Sequence, residues 1–142
     1  MPKEIEQAVA QVLKPLGYTK TAATWHRDRG EVISVLNVQK SQWGDEHYVN
    51  LGVYLKALGD EKRPAESRCH VRCRANTPDT LGSSADPLAV AALVAEVGLP
   101  WLDLLSTERQ IGEFLTSDGS RQCFVDQRAR QLAARTSDAP AA

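Results

Sequence analysis

The residues from Tyr48 to Leu55 alternate between two kinds of side chain, and this pattern constrains the fold more than any other part of the chain. The odd-numbered positions are aliphatic, while the even-numbered positions carry a phenol, an amide or no side chain: Tyr48, Asn50, Gly52 and Tyr54. A period of two predicts a β-strand with one apolar face and one polar face. Such a strand is typical of an antiparallel sheet that is covered on one side only.

Three further segments have the same character and predict neighbouring strands: Tyr18–Arg27, Glu31–Lys40 and Ser67–Arg74. The turn signal Asp28-Arg29-Gly30 lies between the first two, so we expect them to form a hairpin. In the last segment we expect Cys69, Val71 and Cys73 to share the buried side. The polar residues between them would then point outward.

Helices are predicted before and after these strands in the sequence. Apolar residues recur at helical spacing from Ile5 to Leu16, and Gly17 is suited to the position after a helix end. Near the other end, Asp86 and Pro87 form a helix start, and further helical patterns follow it. The order of elements predicts an α+β fold: an antiparallel sheet of about four strands with N-terminal and C-terminal helices packed on one face. We expect residues 1–135 to form a single domain and 136–142 a flexible tail.

Composition excludes several classes of function. The 142 residues carry a formal net charge of −1, so no global field attracts nucleic acid, which we consider an unlikely partner. No stretch approaches the roughly 20 apolar residues of a membrane span, and the N-terminus lacks an apolar signal core. We therefore expect a cytoplasmic protein without a membrane partner. Its three cysteines are an odd number and do not indicate a disulfide framework.

Five short motifs, in this order, give the chain a family resemblance: LKPLGY at Leu13–Tyr18, TWHR at Thr24–Arg27, LNVQKS at Leu36–Ser41, VNLGVY at Val49–Tyr54 and CHVRCR at Cys69–Arg74. The chain resembles a bacterial family catalogued as domain of unknown function 4304. The resemblance covers the first half in some detail and the helical half loosely. It implies a small soluble α+β domain, and it brings no assigned activity, cofactor or catalytic residue.

The outward face of the predicted sheet is the candidate site. Amide, phenol and guanidinium groups should share it, on a grid of about 6–7 Å along each strand and about 4.8 Å between strands. The candidate residues on this face are Gln39, Tyr48, Asn50, Tyr54, Arg68, His70 and Arg72. Trp43, in the polar loop Ser41–Glu46, joins them because an aromatic ring at a loop tip often marks a contact surface. We expect a binding module that recognises a protein or a small polar or anionic ligand.

Other site chemistries are less well supported by the sequence. Cys69 and Cys73 would stand about 13 Å apart along a strand, too far to share one metal ion, so we expect no metal or other cofactor. No nucleophile or phosphate-loop motif is present. The alternative is an enzyme acting on a small molecule or nucleic acid, with His70 as the acid–base group. A toxin-blocking immunity protein is a third possibility for a small domain of this kind.

Overall fold

The structure is a computed structural model that describes residues 1–138, with side chains described as far as Arg135. Six strands form one antiparallel sheet in sequential order: β1 (Thr19–Thr21), β2 (Thr24–Asp28), β3 (Val32–Lys40), β4 (His47–Leu55), β5 (Val71–Arg74) and β6 (Phe124–Val125). Six α-helices accompany it: α1 (Lys3–Leu13), α2 (Pro78–Leu81), α3 (Pro87–Leu93), α4 (Leu99–Leu104), α5 (Glu108–Leu115) and α6 (Gln127–Asp138). Short 3₁₀ segments include Lys56–Leu58 and Glu66–Arg68, and a π-helical segment, Val94–Gly98, joins α3 to α4.

The α+β class and the antiparallel sheet are confirmed, but the expected number of about four strands is wrong, since residues 1–138 form six. One extra strand arises because the predicted segment Tyr18–Arg27 folds into the two paired strands β1 and β2. Ala22, in the turn between them, has a φ of 55°, a left-handed conformation that the sequence signals poorly without Gly or Asn. The other extra strand, β6, has two residues and is too short for alternation to reveal.

The register of β3, β4 and β5 places the polar residues of all three strands on one side. Asn37 pairs with Asn50, and Gln39 pairs with Tyr48. Asn50 also pairs with Arg74 on β5. Because directly opposed residues point to the same face, the amides and the guanidinium group lie together, as the alternation predicts.

The opposite face carries the main apolar core. Leu36, Leu51 and Val53 point into it from β3 and β4 and are almost fully buried. Helices from both ends of the chain complete the same core, with Ile5, Val9 and Leu13 from α1, Leu93 and Leu102 from α3 and α4, and Ile111 and Ala129 from α5 and α6. Gly98 allows the π-helical segment to approach closely, because a Cβ there would lie 3.3 Å from Leu51 Cδ2. Apart from the start of α6, the helices thus leave the polar face to other parts of the chain.

The helical run Pro87–Leu104 corrects one expectation from the sequence. Its 18 residues are long and apolar enough to cross a membrane by length and composition, although no stretch was expected to come near that limit. Val90, Val94 and Leu102 of this run are buried in the core. Core helices of soluble proteins pass the same test, so the run is weak evidence for a membrane span.

The predicted boundary between the domain and a flexible tail falls within α6, and the flexibility of the tail stays a prediction. The predicted tail begins at residue 136, whereas α6 continues to Asp138. The remainder of that predicted tail, residues 139–142, lies outside the described residues.

Residues 56–70, which we call the cover segment, fold back over part of the polar face. Cys69 packs there with Ile33, Val35 and Tyr54 in a small second apolar cluster. The expectation that Cys69 faces the main core is therefore wrong, because the 3₁₀ turn Glu66–Arg68 delays the start of β5 until Val71. The cover segment divides the polar face into an open half and a covered half.

Candidate functional site

The open half of the polar face is organised around the side chain of Asn50, which is only 7% exposed. Its Nδ2 donates to Gln39 Oε1 at 3.0 Å and to Asn37 Oδ1 at 3.3 Å. Its Oδ1 accepts a hydrogen bond from Arg74 Nε at 3.1 Å. The amide is therefore satisfied within the sheet, and its first role is to tie three strands together.

Arg74 lies flat on the open half. Its guanidinium carbon stands 3.8 Å from the centre of the Tyr48 ring, a cation–π contact. This contact follows from the register. Arg74 lies directly opposite Asn50, so Tyr48, two residues before Asn50 on β4, is diagonal to Arg74 on the same face. The open half thus presents stacked and hydrogen-bonded groups.

A concave cleft lies at the other end of the same face, between the cover segment and the β6–α6 connection. Its volume is about 510 Å³. Four of the predicted site residues line it: Tyr54, Arg68, His70 and Arg72. Arg128, at the start of α6, and Asp126, just before it, lie on the opposite wall. The strand residues are thereby brought close to a part of the chain more than 50 positions away.

Each guanidinium group of the cleft has a carboxylate partner. Arg72 binds Glu66 through two hydrogen bonds of 3.0 and 3.2 Å, and this bond raises the pKa of Arg72. Arg68 Nε lies 3.4 Å from Glu61 Oε2, where both side chains are well exposed. The Arg72 pair is bidentate and half-buried, so it holds the cover segment to β5 more firmly than the exposed pair does.

Arg128 and Asp126 form the third ion pair. Arg128 Nη2 lies 3.0 Å from Asp126 Oδ2, and Arg128 Nε lies 3.2 Å from Asp126 Oδ1. The hydrogen bond from Arg128 lowers the pKa of Asp126 and raises that of Arg128. Both groups therefore keep their charges at neutral pH, and the wall of the cleft displays a guanidinium group.

His70 is 2% exposed and is held in one tautomer. The backbone N–H of Leu55 donates to its Nδ1 at 2.9 Å, so Nδ1 carries the lone pair and the neutral ring has its proton on Nε2. The ring also contacts the Tyr54 ring in a tilted arrangement, with 4.7 Å between the ring centroids and 44° between the ring planes. Burial is the main cause that lowers the pKa of His70, followed by the charge of Arg128. A second proton would replace the acceptor at Nδ1 by a donor facing the Leu55 N–H.

The eight predicted site residues do not form one site. Gln39, Tyr48 and Asn50 belong to the open half, whereas Tyr54, Arg68, His70 and Arg72 line the cleft. Trp43 belongs to neither, since the loop between β3 and β4 holds its ring 85% exposed. The structure thus brings four of the eight together, and Trp43 as a contact residue stays a prediction.

Sequence reasoning missed three contributors to this face. Arg128 and Asp126 are not candidates from the sequence, because helical spacing indicates only that the polar surface of α6 faces solvent. It does not indicate which strand lies next to α6. Arg74 continues the alternation of polar residues in the segment Ser67–Arg74 but is not among the candidate residues. Its position directly opposite Asn50 in the register could have identified it.

The histidines do not assemble into a catalytic group with one another. His26 Nε2 donates to the Pro64 carbonyl oxygen at 2.7 Å under the cover segment. His47 points to the apolar side of β4 and is buried. Within residues 1–138, no group of three or more His, Cys, Asp or Glu side chains is arranged to hold a metal ion.

Comparison with known proteins gives one match. A family model described as Domain of unknown function (DUF4304) matches residues 9–104. No curated protein and no solved structure matches the chain. The matched range includes β1 to β5 and the cover segment, and it ends before the wall that carries Asp126 and Arg128.

Proposed function

The chain belongs to the DUF4304 family, and on that premise we propose that it is a binding module that holds a small anionic ligand in the cleft. The observation that carries the proposal is the convergence of donors on one concave space. Guanidinium groups of Arg68, Arg72 and Arg128 line it together with the His70 ring. Carboxylate and phosphate groups are the acceptors that guanidinium donors bind best.

The size of the cleft supports a small ligand. A volume of about 510 Å³ lies within the roughly 300–1,000 Å³ that is usual for small-molecule sites. The lining carboxylates, Asp60, Glu61 and Asp126, balance the three arginines. A ligand with one anionic group can displace Glu61 from Arg68 at small cost, because an exposed ion pair is worth only about 0–1 kcal/mol.

The tautomer of His70 favours binding over the alternative, acid–base catalysis. A general base needs a free lone pair, and the lone pair on Nδ1 accepts the N–H of Leu55. Nε2 carries the proton of the neutral ring and has no partner among the described residues, so it is available as a donor to a ligand. These features support a ligand-positioning role for His70.

A thermal-shift titration with inorganic phosphate, citrate and acetate at matched ionic strength tests the proposal. A ligand at 100 times its Kd stabilises the folded state by about 2.7 kcal/mol, a rise in Tm of about 5–10 °C. Arg68→Ala and Arg128→Ala should reduce the rise without large losses of stability, since both side chains are exposed. Arg109→Ala on α5 is the control, because Arg109 has an exposed ion pair with Glu113 and neither residue lines the cleft.

Two results would contradict the proposal. One is the absence of any anion-specific rise beyond the effect of ionic strength. The other is a rise that persists in Arg68→Ala and Arg128→Ala at the level of Arg109→Ala, which would place the anion elsewhere on the surface.

A further inference from the structure

Cys73 and Cys123 face each other across the last two strands of the sheet. The register of β5 and β6 pairs Val71 with Val125 and Arg72 with Phe124. Extending this register by one residue places Cys73 opposite Cys123. The backbone of Cys123 is extended, with φ −109° and ψ 150°, so the strand geometry of β6 continues to this position.

The hydrogen-bonding phase of this ladder makes the two side chains close neighbours. Asp126 N donates to His70 O at 2.8 Å, which makes these two residues a hydrogen-bonded pair. Hydrogen-bonded and non-hydrogen-bonded pairs alternate along an antiparallel ladder. Cys73 and Cys123 are three pairs along from His70 and Asp126, so they form a non-hydrogen-bonded pair. Cα atoms of such pairs are about 4.5 Å apart, within the roughly 4.4–6.8 Å that a disulfide spans.

The surroundings of the two thiols differ from those of the third cysteine. Cys73 and Cys123 are half-buried, whereas Cys69 is buried under the cover segment and burial raises its pKa. A hydrogen bond from Cys123 lowers the pKa of Cys73 to about 7. The same bond, together with burial, raises the pKa of Cys123. The pair thus favours the thiolate at Cys73 and the protonated thiol at Cys123.

We propose that Cys73 and Cys123 form a two-cysteine redox site that reacts with hydroperoxides and closes into a cross-strand disulfide. The Cys73 thiolate attacks the O–O bond of the peroxide. An S–O bond forms, the O–O bond breaks, and the leaving oxygen takes a proton and departs as water or an alcohol. Cys73 is then a sulfenic acid.

Cys123 completes the reaction. After losing its proton, its sulfur attacks the sulfur of the Cys73 sulfenic acid, the S–S bond forms, and the S–O bond breaks with release of water. Two electrons pass from the two thiols to the peroxide in total. The disulfide joins β6, a two-residue strand at the sheet edge, to β5. Transient disulfides of this type are the kind found in reducing compartments.

Peroxide titration of the full-length native protein tests the site, with free thiols counted and tryptic peptides analysed by mass spectrometry. We expect two of the three thiols to disappear together, an intramolecular link between the Cys73 and Cys123 peptides, and reversal by a dithiol reductant. Cys69→Ser should behave as the wild type. In Cys123→Ser, a dimedone adduct should accumulate on Cys73, because no second thiol resolves the sulfenic acid.

Native wild-type protein decides the question even if a variant fails to fold. A link that includes Cys69, a link between two chains, or independent oxidation of Cys73 and Cys123 without any link would overturn the proposal. An oxidised form with a lower Tm than the reduced form would also overturn it, because a disulfide that fits the ladder raises Tm by several degrees.

Discussion

Replacement of Gly52 by alanine is the sharpest perturbation of the covered half of the sheet. A Cβ at this position would lie 2.7 Å from Cys69 Sγ and 2.8 Å from Cys69 Cβ. The backbone of Gly52 lies outside the left-handed region, so alanine can adopt it and steric contact is the only new cost. Relief of the contact requires the cover segment to move away from β4.

The expected cost follows from the geometry. Cys69 is attached to a segment held by the bidentate Arg72–Glu66 pair, so the clash cannot be relieved by a side-chain rotation alone. Overpacking of this kind costs about 1–3 kcal/mol. For a domain of this size that is a fall in Tm of roughly 3–10 °C. Displacement of the cover segment should also weaken anion binding in the cleft.

Urea denaturation of Gly52→Ala, with Gly82→Ala as control, measures this cost. Gly82 has φ −61° and open space around its Cβ position, so alanine there should be neutral or slightly stabilising. The double variant Gly52→Ala/Cys69→Gly should lose less free energy of unfolding than the sum of the losses in the two single variants, since the clashing atoms are gone. A Gly52→Ala protein as stable as Gly82→Ala would refute the close approach of the cover segment.

Three further predictions address the sheet and the core. Burial lowers the pKa of His70 in the folded state, so the unfolded chain binds more protons just below pH 6.5. The free energy of unfolding should therefore fall as pH decreases through this range. In urea titrations across pH 5–8, His70→Asn should make this fall smaller. Asn50→Ala leaves Arg74 Nε and two amide oxygens without their partner and should cost about 1–3 kcal/mol in urea unfolding, whereas an unchanged midpoint would show that water replaces it fully. Leu51→Ala in the core should cost about 2–5 kcal/mol and Leu88→Ala, 76% exposed, less than about 0.5 kcal/mol by calorimetry; equal losses would contradict the placement of α3.

Local pattern was sufficient to predict much of the sheet. Alternation in β4 predicts its two faces correctly, because consecutive side chains of any strand point to opposite sides. Gly17, with φ 90°, ends the 3₁₀ segment Lys14–Leu16 that continues α1, at the position that the sequence predicts, since glycine readily adopts that conformation. Local pattern failed at Ala22, where tertiary pairing of β1 with β2 imposes a left-handed turn on a residue that disfavours it.

The candidate site shows more clearly which features local pattern predicts and which features tertiary contacts decide. That Gln39, Asn50 and Arg72 share a face was predictable, and the register bears out that parity. Which of them border a cleft was not predictable, because the cover segment and α6 decide it through contacts between distant parts of the chain.

The sequence alone determined the properties that depend on neighbours along the chain: the period of the long strands, the stop of the first helical segment at Gly17 and the polar character of one sheet face. Tertiary structure alone decided the side on which Cys69 lies, the meeting of Arg128 with His70, and the opposition of Cys73 and Cys123. The physical reason is that alternation and capping act over a few residues. The position of Cys69, the meeting of Arg128 with His70 and the opposition of Cys73 and Cys123 instead require distant parts of the chain to meet, across the cover segment or across some fifty residues. The packing of the whole core decides where these parts meet.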